Sequence, residues 1–160
     1  MENKNRDPRQ KARNYAFLLL KFRLRSEKEI LQRLKKKKFD EGIIQETLSF
    51  LKEKGFVDDR YFAKAWIESR IKRPLGLRRI RSELQLKGVA GEIIDSQLEE
   101  IKKEYSEEDL VFELAKERIH KLKSIDPQKA KRRTLEYLLR RGFSLNIVLD
   151  ALNQLCKQIP

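Results

Sequence analysis

Cysteine, histidine, methionine and tryptophan each occur once in these 160 residues. A lone Cys156 excludes an internal disulfide framework, and a lone His120 leaves no cluster of the kind that holds zinc. Glycine is scarce, and residues 42, 55, 76, 88, 91 and 142 are spread too thinly to build a phosphate-cradling loop. The longest unbroken apolar run, Tyr15 to Leu20, is far too short to span a bilayer. The stretch Met1 to Lys11 is polar and lacks the apolar segment of a signal peptide. These absences predict a soluble, cytoplasmic, reduced protein that is not an enzyme and carries neither cofactor nor metal.

Charge is what the chain has in excess. Lys and Arg number 38 against 25 Asp and Glu, a net +13, and the surplus is greatest in residues 1–55. Apolar residues reach 39%, enough for a folded core. A basic, core-forming chain of this kind predicts an anionic partner.

Apolar residues recur every three or four positions almost throughout, which is the helical period. Ser26-x-x-Glu29 is a capping box. Asp40, Asp58, Ser106 and Ser144 are candidate N-caps, and Asp126-Pro127 places proline at the first helical position. Gly55, Gly88 and Gly142 supply stop signals. The spacing predicts helices over 9–24, 27–37, 41–54, 59–72, 77–87, 91–103, 107–123, 127–141 and 145–157, an all-α chain.

The helices repeat in threes. With Phe39, Val89 and Phe143 aligned, Leu34 matches Leu84 and Leu138, and Ile44 matches Ile94 and Val148. Ile43, Ile93 and Ile147 form a further column, as do Leu48, Leu98 and Leu152, and Leu51, Ile101 and Leu155. The units run 1–55 (with the polar N-terminal segment), 56–105 and 106–160. Units this small cannot bury enough surface alone, so the pattern predicts an elongated, curved array of three stacked three-helix repeats. Lys38 stands where the other repeats have glycine, which predicts a left-handed backbone there.

The same register places Lys28, Arg78 and Arg132 in one column of cations, and Lys37, Lys87 and Arg141 in another. Cations at a helix C-terminus suit the dipole, and the second column fits a partner's anion equally well, so Lys87 and Arg141 join the candidate interface. Lys28 and Arg78 fall near a second helical position, where a cation is disfavoured, and so suggest an external anion. Arg70, Lys72, Arg73, Arg78, Arg79 and Arg81 form a central run broken by Pro74 and Gly76, a loop able to present cations in several directions. Lys35 to Lys38 cannot share one helical face and is a diffuse electrostatic feature. Tyr15, Tyr61, Trp66 and Tyr137 have helically spaced apolar neighbours and read as core or rim. His120 reads as a solvated surface residue, Cys156 as a small core or surface residue, and Asp58-Asp59 as acids serving one helix start.

The segment Lys54-Gly55-Phe56-Val57-Asp58-Asp59-Arg60-Tyr61-Phe62-Ala63 resembles the signature of the RecX family of bacterial recombination regulators. The likeness continues through Arg70, through Gly76-Leu77-Arg78-Arg79-Ile80-Arg81-Ser82-Glu83-Leu84, and through Lys87-Gly88-Val89. It closes on Tyr137-Leu138-Leu139-Arg140-Arg141-Gly142-Phe143-Ser144, and Tyr15-Ala16 through Arg25-Ser26 with Glu29-Ile30 also fits. The resemblance implies a nine-helix, three-repeat, monomeric regulator that binds the RecA recombinase, chiefly as its filament on single-stranded DNA. It implies inhibition of filament extension, strand exchange and the associated ATPase, and hence a place in recombination, DNA repair and the SOS response. The family pattern singles out no contact residue, so the candidate interface rests on charge alone. The alternatives are a DNA- or RNA-binding helical-repeat protein acting without RecA, and a helical scaffold for acidic proteins.

Overall fold

The computed structural model describes residues 7–158. Most of the polar stretch expected at Met1 to Lys11, up to Arg6, lies outside them. Among the described residues there are nine α-helices and no strand: α1 Pro8–Phe22, α2 Glu27–Lys36, α3 Glu41–Glu53, α4 Asp59–Ile71, α5 Leu77–Leu86, α6 Gly91–Ile101, α7 Glu107–Lys121, α8 Pro127–Arg140 and α9 Leu145–Gln158. None is long and apolar enough to cross a membrane.

The helices begin where the sequence supplies caps. Ser26 and Glu29 complete both arms of the capping box on α2. Asp40 accepts from the Gly42 N–H, Ser106 from Asp109 and Asp126 from Lys129. The Asp58 carboxylate accepts from Arg60 and Tyr61. Each such cap contributes about 1 kcal/mol.

The second helix of every repeat ends in the same way. Phe39, Val89 and Phe143 donate their N–H groups to Leu34, Leu84 and Leu138, five residues back. The residue between, Lys38, Gly88 or Gly142, has a positive φ of 60°, 80° or 91°. This is a helix stop that satisfies the last carbonyls, and Lys38 adopts it as its alignment with glycine required. A lysine side chain in this conformation costs about 1 kcal/mol. Lys38→Gly is therefore expected to be neutral, or stabilising by up to about 1 kcal/mol, in thermal melts. A clear loss of stability would contradict the shared stop.

The aligned columns share their burial. Leu34, Leu84 and Leu138 are fully buried, as are Ile44, Ile94 and Val148, while Ile43, Ile93 and Ile147 are all half-buried. Each fully buried aliphatic side chain contributes roughly 1.5–3 kcal/mol.

Close contacts divide the chain into two compact units. The first comprises the described residues up to Ala65 together with Leu84–Ile94. Its core holds Ala12, Ala16, Leu19, Ile30, Leu34, Ile44, Leu48, Leu51 and Val57. The second comprises Trp66–Glu83 and the described residues from Asp95 onward. Val111, Ala115, Leu138, Phe143, Val148, Ala151, Leu152 and Leu155 form a core there.

Candidate partner interface

Each unit contains one junction between successive repeats, and the two junctions use the same parts. In the first unit the buried Ser26 hydroxyl donates to the Lys87 carbonyl at 2.6 Å. In the second, the Gly76 N–H donates to the Arg141 carbonyl at 2.9 Å. Ser26 and Gly76 are equivalent positions, and so are Lys87 and Arg141. A carboxylate from the following repeat also caps each second helix. Asp59 accepts from the Glu27 N–H at 2.9 Å, and Glu107 from the Leu77 N–H at 2.7 Å. Asp59 stands in the first turn of α4 beside the cap Asp58, as the sequence led one to expect, and in addition it caps α2. Burial raises the pKa of both carboxylates from their ordinary values.

The glycine stops explain the close approach. A Cβ on Gly88 would lie 2.1 Å from the Lys28 Cδ, and a Cβ on Gly142 would lie 2.3 Å from the Arg79 Cβ. Lys28 therefore has a packing role: its aliphatic stem lies over Gly88 while the residue stays exposed. In the second junction that place falls to Arg79 rather than to the column member Arg78. Arg132 is the sixth residue of α8, because this helix starts a turn earlier, and it reaches Glu136 at 3.8 Å. The Lys28, Arg78 and Arg132 positions are thus three different local environments.

Several other candidate cations have intramolecular partners. Lys87 Nζ meets Glu29 at 3.0 Å, and Arg23 binds the same carboxylate through two nitrogens. Burial opposes ionisation of Glu29, but the hydrogen bonds and charges of Arg23 and Lys87 outweigh it and hold its pKa at about 2. That depressed pKa stabilises the fold above the ordinary value of 4.5 and is lost as pH falls toward about 2. Melts from pH 7 to pH 3 are expected to show a smaller acid-induced drop for Glu29→Gln than for the wild type. The variant should start from a lower melting temperature, and equal slopes would remove Glu29 as the source.

Arg70 lies over the Trp66 ring and meets Glu83 at 2.7 Å; Trp66 Nε1 and Arg79 bind the same carboxylate. Burial raises the pKa of Glu83, but these donors overcome it and bring the net value down. Arg81 pairs with Asp95. Arg141 donates to the Pro74 carbonyl at 3.1 Å and lies over the Tyr137 ring. The loop between α4 and α5 is consequently pinned at Pro74 and Gly76, where sequence alone suggested a segment able to point in several directions. Lys72, Arg73 and Arg78 are exposed and form no ion pair among the described residues.

The structure thus brings Arg70, Arg79 and Arg141 around one junction, with Lys72, Arg73 and Arg78 presented from its loop and the first turn of α5. Lys28 and Lys87 belong to the other junction. The carboxylates that organise these groups, Glu29, Glu83, Asp59 and Glu107, were not legible as partners. Only Arg79 and Glu83 carry a sequence signal, their i,i+4 spacing. Tyr61 also departs from expectation: it is 60% exposed and belongs to no core. A fixed backbone bearing exposed cations can engage phosphates or carboxylates; among the described residues no group of acids, His and Cys is arranged to hold a metal.

Comparison with known proteins places the chain among its relatives. Models of the first, second and third three-helix domains of RecX match residues 12–51, 58–98 and 106–152. The regulatory protein RecX of Chlorobium phaeobacteroides is 36% identical, covering 91% of this chain and 93% of the relative. That of Amycolatopsis mediterranei is 34% identical over 90% of this chain and 82% of the relative. The crystal structure of RecX from Lactobacillus salivarius superposes with a TM-score of 0.83 at 22% identity, covering 96% of this chain and 99% of that one.

Proposed function

The chain belongs to the RecX family, and from that premise we propose that it regulates the RecA recombinase by binding its filament on single-stranded DNA. It acts there by occupancy and not by catalysis, as a cytoplasmic monomer without cofactor, and inhibits filament extension, strand exchange and the coupled ATPase. The observation that supports this reading best is the set of exposed cations Lys72, Arg73 and Arg78, without an ion pair among the described residues, on a loop pinned at Pro74 and Gly76 and on the first turn of α5 that follows it. A backbone already held in place adds no ordering cost when the cations meet an anion, and the only freedom lost is that of the side chains. The wider interface includes Arg70, Arg79, Arg81 and Arg141, with Lys28, Lys87 and Arg132 as outlying cations, and successive repeats 1–55, 56–105 and 106–160 present them.

Co-sedimentation with RecA, with and without single-stranded DNA, tests the proposal. Binding is expected to require the assembled filament. The net charge of +13 also favours a second reading, direct DNA or RNA binding without RecA. Equal affinity for naked nucleic acid, with a steep salt dependence, would replace the first reading by the second.

A further inference from the structure

The third repeat has a groove of about 980 Å³ among α7, α8 and α9. Leu122, Leu135 and Leu149 line its floor, and Lys116, Lys123, Lys131 and Arg132 line it with positive charge; no Asp or Glu takes part. The repeat register identifies this surface. Its Ala130, Arg132, Leu152 and Leu155 correspond to Ser26, Lys28, Leu48 and Leu51 of the first repeat and to Gly76, Arg78, Leu98 and Ile101 of the second. In those repeats this face receives the next one. Ser26 binds Lys87, Lys28 covers Gly88, and Val57 joins the Leu48 and Leu51 cluster. Gly76 likewise binds Arg141. In the third repeat Ala130, Leu152 and Leu155 are themselves buried, and the groove is open along the half-buried Leu122, Leu135 and Leu149.

We propose that this groove is a docking site for an acidic, amphipathic helical segment of a protein partner. By register it is the equivalent of faces that accept, once in each unit, a helix bearing a carboxylate, Asp59 or Glu107. An apolar floor calls for side chains at helical spacing, and Lys116, Lys123 and Lys131 beside an Arg132 that meets Glu136 call for Asp and Glu next to them. A second copy of the chain is the wrong occupant. Its first repeat would present Lys38 where Gly88 and Gly142 make the internal contacts, and a Cβ there has no room. Its Lys35 to Lys38 run would also face four cations.

The inference rests on the RecA reading, because RecA is taken to supply the segment. Cys156 lines the groove, is exposed and is the only cysteine, so it can carry a photoreactive maleimide without other change. The labelled chain, its helicity checked by circular dichroism, is mixed with RecA filaments on single-stranded DNA and irradiated. A cross-link to an acidic RecA peptide with apolar residues at helical spacing is expected. Lys123→Glu/Lys131→Glu should suppress that cross-link and weaken filament binding at least about tenfold, with its melting temperature nearly unchanged. Loss of filament binding on labelling of a folded chain would also support occupancy. Cross-links confined to DNA or to a second copy, or none while the labelled chain still binds, would overturn the inference and leave the RecA reading intact. Failure of the unlabelled chain to bind filaments would remove both.

Discussion

Gly76→Ala is expected to cost roughly 2–4 kcal/mol, the range of a severe overpacking defect combined with a lost hydrogen bond. The new Cβ would lie 2.2 Å from the Gly142 carbonyl carbon and oxygen and 2.4 Å from the Phe143 nitrogen. These are backbone atoms of a stop whose next residue, Phe143, is fully buried. They cannot swing away as a side-chain tip would, so the two segments must separate. The Gly76–Arg141 hydrogen bond would then be lost, and the Leu77–Glu107 cap beside it would be strained. Gly142→Ala should cost a similar amount, since it meets Arg79 and also holds a φ of 91°. Gly55→Ala is the control: it has a positive φ but no atom within 4 Å, so only the backbone term of about 1 kcal/mol applies. Urea denaturation of the three variants checks the order. A Gly76→Ala loss no greater than that of Gly55→Ala would show that the junction relaxes freely.

The largest functional effect is expected from the triple variant Lys72→Ala/Arg73→Ala/Arg78→Ala. Under the proposed function its filament affinity should fall at least about tenfold. The dependence of log affinity on log salt should become shallower by roughly one unit for each lost phosphate contact. The melting temperature should change little, because exposed charges without partners contribute little to folding. Arg70→Ala should behave in the opposite way. It removes a guanidinium that lies over Trp66 and holds Glu83, and so reduces stability before it reduces binding. Filament binding across a salt series, read beside thermal melts, separates the two classes. Unchanged affinity and slope in a folded triple variant would remove this cluster from the interface.

This separation of binding cations from structural ones could not be read from composition. Arg70, Arg73, Arg79 and Arg141 are alike in sequence, all basic and all near a helix end. Their difference lies in what they meet: Glu83 and Trp66 for Arg70, the Pro74 carbonyl and Tyr137 for Arg141, and no acid for Arg73. The ion pair of Lys87 with Glu29 spans 58 residues, and no spacing rule reaches that far. The same holds for Asp59, which looks like a local helix-start acid and is also used by α2.

The sequence by itself determined the all-helical class, the helix limits to within a residue or two and the threefold register. It also determined the left-handed Lys38. These depend on interactions within about five residues: caps, helical periodicity and the stop that returns an N–H to a carbonyl five positions back. The tertiary structure alone decided which glycines are needed for space as well as for φ, which carboxylates close the junctions and which cations remain exposed. Most of those are set by groups from different elements, from 13 residues apart for Arg70 and Glu83 to 67 for Arg141 and Pro74. Over that distance the outcome depends on how packed helices meet, which local propensity does not encode.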